Sequence, residues 1–209
     1  RSRDLLISIG DGVEVPPGSQ SDKPYSVFMD VYAGLCRLHM KTYRSTQRQL
    51  AAIAAKNHQH STHNPLSQYQ RPYTVDEILA APPITFPLTL PMCSPISDGA
   101  AAAIVCNAAG LAKLDGAAKR AKRVLASVLQ TGSTRAPADY ARHVTRLAAE
   151  RAYAQAGIGP GEVSVAEVHD ATAMGEIIEV EALGLVAPGD AGPAAERGEL
   201  SLGGRLPVN

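Results

Sequence analysis

A change of rhythm along this chain limits what it can fold into. Residues 25–85 carry capped helical patterns and turns but no convincing strand, while short apolar runs bounded by glycine and proline lie on either side. That order predicts an α/β protein into which a mainly helical stretch is inserted. Asp4 to Gly10 reads as a buried strand stopped by glycine, and the polar, Gly- and Pro-rich residues 11–24 as a loop.

Within the insertion, Thr46-Gln47-Arg48-Gln49 fits a capping box. Behind it Leu50, Ile53 and Ala54 share a helical face, and Asn57 is the expected stop. A second box at Thr74-Val75-Asp76-Glu77 starts a helix that must end near Ala81, because Pro82-Pro83 removes backbone donors and restricts the residue before it. Residues 56–65 between them read as a polar connection.

Beyond residue 86 strands return. Pro91 to Gly99 is turn chemistry, and strands are expected at Ala100–Val105, Arg123–Thr131 and Val163–Val168. A helix over 139–155 turns Val144, Leu147 and Ala148 to one face and stops at Gly157. Another over 172–185 points Met174, Ile177, Ile178 and Leu185 inward, with Glu176 and Glu179 outward. The Gly-rich residues 190–205 are expected to be an exposed loop.

The 209 residues balance 20 basic against 20 acidic side chains, which argues against a nucleic-acid partner. No apolar run reaches the roughly 18 residues of a membrane span, and no secretory signal is evident. Three cysteines at irregular spacing make neither a disulfide framework nor a zinc pattern, so a reducing, cytoplasmic setting is expected. With no Trp and two Phe, the core must rest on aliphatic residues and alanine.

His169 and Asp170 are the most informative candidates. They stand where the Val163–Val168 strand meets the next helix, the place where α/β sheets collect ligands. His169 could donate to a developing oxyanion, with Asp170 fixing its tautomer; equally, Asp170 could cap the helix and His169 fill a gap. His58, His60 and His63 invite a metal reading, but their loose spacing without Cys or paired carboxylates fits loop hydrogen bonding, and no metal is expected. Cys93, in a Pro-rich turn, is either a nucleophile or an inert buried thiol. Cys36, in an expected helix, and Cys106, at an expected strand end, are weaker candidates. Ser94 and Ser97 are turn residues by default, and Gly99 is expected to allow close backbone approach.

Several of these blocks together resemble the thiolase superfamily, specifically its sterol-carrier-protein type. Lys56-Asn-His-Gln-His-Ser61, Asn64-Pro65, Ser67-Gln-Tyr-Gln70 and Tyr73-Thr-Val-Asp-Glu-Ile78 resemble the loop-domain signature of that branch. Pro95 to Ile104 resembles the segment leading into the last strand of the N-terminal half. Glu167-Val-His-Asp-Ala-Thr172, Gly175-Glu176 and Glu181-Ala-Leu-Gly-Leu185 resemble its histidine–aspartate loop. The blocks run in family order over nearly the whole chain.

The resemblance implies a layered αβαβα fold with mixed and parallel sheets. Residues 1–12 would end the N-terminal half, 13–85 would be the CoA-binding loop domain, 86–118 the rest of the N-terminal half and 119–209 the first part of the C-terminal half. It implies acyl-CoA C-acyltransfer in lipid metabolism: thiolysis of a 3-ketoacyl-CoA or the reverse Claisen condensation, in a homodimer, with the CoA thioester as substrate and no cofactor. By position His169 matches the oxyanion-hole histidine, Asp170 its neighbour, and Ser94 a residue that contacts the pantetheine arm. The nucleophilic cysteine is expected before Arg1, and the glycine–histidine–proline motif after Asn209, so the chain reads as an internal piece.

One departure lies inside the chain. The residue after His-Asp is commonly an acid–base cysteine in this branch, and here it is Ala171. That motivates an alternative, a thiolase-fold aldolase cleaving a steroid or acyl side-chain CoA thioester with tyrosine acids or bases. It would act beside a small acyl-CoA-binding partner subunit of the OB-fold and zinc-ribbon type. A third reading is a non-catalytic subunit that binds CoA esters or lipids.

Overall fold

The computed structural model describes residues 7–132 and 134–209. Helices dominate. Helix α1 (Val27–Tyr43) starts where the Ser26 hydroxyl accepts from the Phe28 N–H, and ends at Arg44 in the left-handed region, φ 63°. Helix α2 (Gln47–Ser61) opens on the expected capping box, with Thr46 and Gln49 bonding reciprocally. The second box forms too: Thr74 and Glu77 start α3 (Val75–Leu79), which closes at Ala80, ahead of the proline pair. Both features need only residues three apart in sequence.

Helix α2 does not stop at Asn57. It runs a further turn to Ser61, so His58 and His60 are helical rather than loop residues. Asn57 can stop a helix only where the next turn has nothing to hold it, and here His58 and His60 both find backbone partners across the chain.

The chain then pairs β1 (Pro83–Thr85) with β2 (Leu88–Thr89) as a short antiparallel hairpin, β1 falling inside the stretch expected to be strand-free. Beyond it come α4 (Ala108–Leu111), α5 (Val144–Ala156), α6 (Ala173–Ala182) and α7 (Ala191–Glu196). As the sequence predicts, Gly157 caps α5 with φ 72°.

The hydrophobic core sits around α2, which packs against α3, α6 and α7. Leu50 and Ile53 of α2, Ile78 of α3, and Met174, Ile177 and Val180 of α6 are fully buried together with Leu200 and Leu206. Residues 190–205 are not an exposed loop. Ala191 and Ala194 are fully buried in α7, and a Cβ at Gly192 would lie 2.8 Å from that of Gln49, so small residues let α7 lie directly on α2.

The expected strands fare differently. Of residues 4–10, residues 4–6 lie outside the described residues, while Ile7 and Ser8 are helical and lead into a turn. Ala100–Val105 and Arg123–Thr131 have no regular secondary structure, with Ile104, Val105 and Leu129 at least 80% exposed. A strand needs a neighbour to take its backbone groups, and none faces these stretches among the described residues. Accordingly Gly99 meets nothing within 4 Å, and Cys106 is exposed beside the Asn107 cap of α4 rather than at a strand end. Val163–Val168 is an intermediate case. Ala166 pairs in parallel with Val208, its N–H bonding Pro207 O at 3.1 Å, while Asn209 N–H bonds Ala166 O at 3.1 Å.

A buried polar tie crosses the helices. His39 of α1 meets Ser45 Oγ at 2.7 Å and Glu181 Oε2 of α6 at 3.1 Å, and the other Glu181 oxygen accepts from the Ala191 N–H. The order serine, histidine, acid resembles a hydrolytic triad, but His39 and Glu181 are sealed in the core, so the set fastens α1 to α6.

Candidate functional site

A cavity of about 300 Å³ opens where the C-terminal turns of α2 face the Pro-rich turn and the histidine–aspartate loop. It is lined by Asn57, His58 and Ser61 of α2, by Cys93, Ser94 and Ser97 of the turn, and by Tyr69 and Asp170.

Local structure fixes this loop. The Pro-rich turn is zipped to it: Cys93 bridges Thr172, and Ala171 O accepts from both the Ser94 N–H (3.0 Å) and the Ser94 hydroxyl (3.1 Å). Behind it, the first turn of α6 presses close. A Cβ at Gly175 would lie 3.0 Å from His169 O and 3.2 Å from Asp170 Cα, so a glycine there lets the helix support the loop backbone directly. From the other side, Val168 N–H donates to Asn209 Oδ1 at 2.7 Å.

Asp170 lies in the cavity wall, and Ser94 sits at its rim with its hydroxyl turned to the loop. His169 is exposed and is not among the cavity-lining residues. Burial raises the Asp170 carboxyl above the usual carboxylate range, opposed by the nearby Asn209 amide, by its own backbone N–H and by the charge of Lys56. Asn57 Nδ2 donates to Asp170 Oδ2 at 3.0 Å.

Cys93 is half-buried and its thiol faces Thr89 O at 3.7 Å. Burial pushes that thiol up to about 12, so at neutral pH it is not the thiolate that nucleophilic attack requires. Cys36, in α1, is fully buried and also raised by burial.

The histidines of the expected polar connection separate. His58 bonds Pro91 O at 3.1 Å and packs against Tyr73 with the rings tilted at 59° and their centroids 4.7 Å apart. His60 Nδ1 lies 2.6 Å from Asn209 O, and its Nε2 accepts from the Leu202 N–H at 2.9 Å. A carbonyl cannot donate, so Nδ1 carries the proton and His60 is neutral in this arrangement. His63 is exposed. Among the described residues, no three His, Cys, Asp or Glu side chains gather as a metal-binding set.

Sequence reasoning placed Glu176 on the solvent face of its helix, and the structure places it in the core. Its side chain is fully buried 3.0 Å from the Lys56 ammonium, itself buried in α2, and Asn57 Nδ2 donates to its Oε2 at 2.7 Å. Lys56 also donates to Val208 O and to Asn57 Oδ1. Burial raises Glu176 and lowers Lys56, each opposed by the other's charge. One signal was available: residues 172–185 are apolar nearly all round, and an acid in a fully buried helix must find a partner.

Comparison with known proteins adds an independent line. Residues 126–209 match the family profile described as "Thiolase C-terminal domain-like". The chain is 33% identical to bovine "Sterol carrier protein 2" over 99% of its own length and 39% of that protein's. It is 36% identical to the "Acetyl-CoA acetyltransferase" of Methanothermobacter thermautotrophicus, over 87% of this chain and 48% of the relative. A solved "Ltp2-ChsH2(DUF35) aldolase" chain superposes with a TM-score of 0.68 and 23% identity, covering 86% of this chain and 48% of the other. At that identity the likeness speaks for the fold alone. The chain spans about half, or less, of the length of the relatives it matches.

Proposed function

The chain belongs to the thiolase superfamily, in its sterol-carrier-protein type, and from that premise we propose that its cavity takes the reacting end of a CoA thioester for carbon–carbon bond chemistry. The first reading is acyl-CoA C-acyltransfer: thiolysis of a 3-ketoacyl-CoA, or the reverse condensation. One observation supports it most, a cavity lined by Asp170, by Ser94 and by the C-terminal turns of α2. In this reading His169 donates to an oxyanion formed at the mouth, Ser94 meets the pantetheine arm, and residues 13–85 receive the CoA. The exposed residues 100–105 and 123–131 then belong to the sheets of a layered αβαβα arrangement in a cytoplasmic homodimer.

A second reading is favoured by one observation: Ala171, which follows His169-Asp170, carries no transferable proton. Aldol cleavage of a 3-hydroxyacyl-CoA needs no thiolate, and the solved relative is itself named an aldolase and paired with a DUF35 protein. That name supports a small partner subunit here under this reading.

Product analysis separates the two with the natural protein that carries this chain. Thiolysis consumes free CoA and yields two CoA esters from one 3-ketoacyl-CoA. Aldol cleavage yields an aldehyde or ketone and one CoA ester, without free CoA. CoA-ester binding by calorimetry with neither product would mean a binding subunit and overturn both readings.

A further inference from the structure

Behind the cavity wall, residues far apart in sequence interlock. The Asn57 side chain uses both amide donors and its oxygen there. Its amide nitrogen donates to Asp170 Oδ2 (3.0 Å) and to Glu176 Oε2 (2.7 Å), and its oxygen accepts from the Lys56 ammonium. A flipped amide would turn its oxygen onto two carboxylates, so the network admits one orientation. Lys56 and Glu176 are sealed, with side chains 3% and 0% exposed, while Asp170 alone of the three charged groups reaches the cavity. One ammonium faces two carboxylates. Fully ionised, the cluster would hold a surplus negative charge in a buried setting, which favours keeping one shared proton.

We propose that Asn57 is a positioning residue that locks Asp170 in the cavity wall, and that the buried Lys56–Glu176 pair behind it sets the charge on Asp170, which serves as the proton carrier at the substrate. The role rests on the proposed CoA-thioester chemistry and supplies what Ala171 lacks. In cleavage, the electron pair of the broken carbon–carbon bond passes to the enolate of the departing CoA ester. The enolate carbon takes the Asp170 proton and leaves a carboxylate. In condensation the carboxylate removes the proton from the α-carbon. The step is the same for thiolysis and for aldol cleavage.

The groups facing Asp170 define what a titration reads. Lys56 and Asn57 come from α2, Glu176 from α6, His169 from its own loop, Tyr32 from α1, and the Asn209 amide from the chain's end. Removing a donor to the ionised carboxyl raises its midpoint, and removing a neighbouring negative charge lowers it.

The test is a carboxyl carbon-13 NMR titration of the aspartates in the natural protein, with Asp170→Asn assigning the resonance. Asn57→Ala is expected to move the Asp170 midpoint up by roughly one pH unit, and Glu176→Gln to move it down by a similar amount. Should Glu176→Gln fail to fold, Lys56→Gln gives an upward move. A parallel assay follows exchange of the α-protons of a short acyl-CoA into heavy water. Asp170→Asn should slow it by about 10²-fold or more, and Asn57→Ala by roughly tenfold. An Asp170 midpoint indifferent to these variants overturns the proposal even if the protein turns over. Midpoints that move as stated, without any exchange by the wild-type protein, leave the positioning network standing and remove the functional reading beneath it.

Discussion

At the scale of single residues, the cavity region is held by groups whose protonation the surroundings dictate. His60 shows it most simply. Its two ring nitrogens serve Asn209 O and the Leu202 N–H, an arrangement only the neutral ring satisfies, and burial lowers its pKa below the usual histidine value. Because the folded protein resists a proton that the unfolded chain accepts, stability must fall as pH drops through the unfolded histidine value of about 6.5. In thermal melts, His60→Gln should lose most against wild type near pH 7.5 and least near about pH 5.5. A constant gap across that range would show that protonation of His60 is not linked to folding. Glu176 and Asp170, with raised values, act in the opposite sense: they favour the folded state at low pH and lose that contribution as pH rises.

At the scale of elements, helix α2 is the organiser. Its N-terminus is held by a capping box, its middle buries Leu50 and Ile53, and its last turns present Lys56, Asn57, His58 and His60 to the rest of the chain. Thr46→Ala removes a cap from an exposed position, so it should cost about 1 kcal/mol of stability while leaving the core untouched. A urea midpoint shift with an unchanged slope would show this. A change of slope would mean that the cap also governs how much surface is buried. Both capping boxes were legible from the sequence because they are complete within one turn. The extent of α2 was not, since the turn beyond Asn57 is held by Pro91 O and Asn209 O, 33 and 149 residues away. The helix of Glu176 was likewise predicted, but not the direction of its acid. Helical spacing gave Glu176 a solvent face, while the pairing with Lys56, 120 residues earlier, draws it inward.

At the scale of the whole molecule, exposure is unevenly spread. Ile104, Val105, Val124 and Leu129 are 71–88% exposed, all in stretches without regular structure that carry strand-like sequence. Aliphatic side chains on unpaired backbone tend to associate. The 209-residue chain expressed alone should therefore self-associate, visible as a concentration-dependent mass in sedimentation. A monomer at every concentration, melting cooperatively, would contradict this. No helix among the described residues is long and apolar enough to cross a membrane.

The sequence by itself determined what is local or repeated in type: the two capping boxes, the Gly157 stop, the inward faces of α2 and α6, and the ordered motifs that mark the thiolase superfamily. Tertiary structure alone decided what depends on distant partners. Neighbours withheld at residues 100–105 and 123–131 leave strand-like sequence irregular, because a strand cannot satisfy its own backbone. Helices brought together across 120 residues turn a surface glutamate into a buried one, because a carboxylate enters a core only where a cation and an amide are waiting for it. That same meeting sets Asp170 in the cavity wall, beside an alanine that can carry no proton.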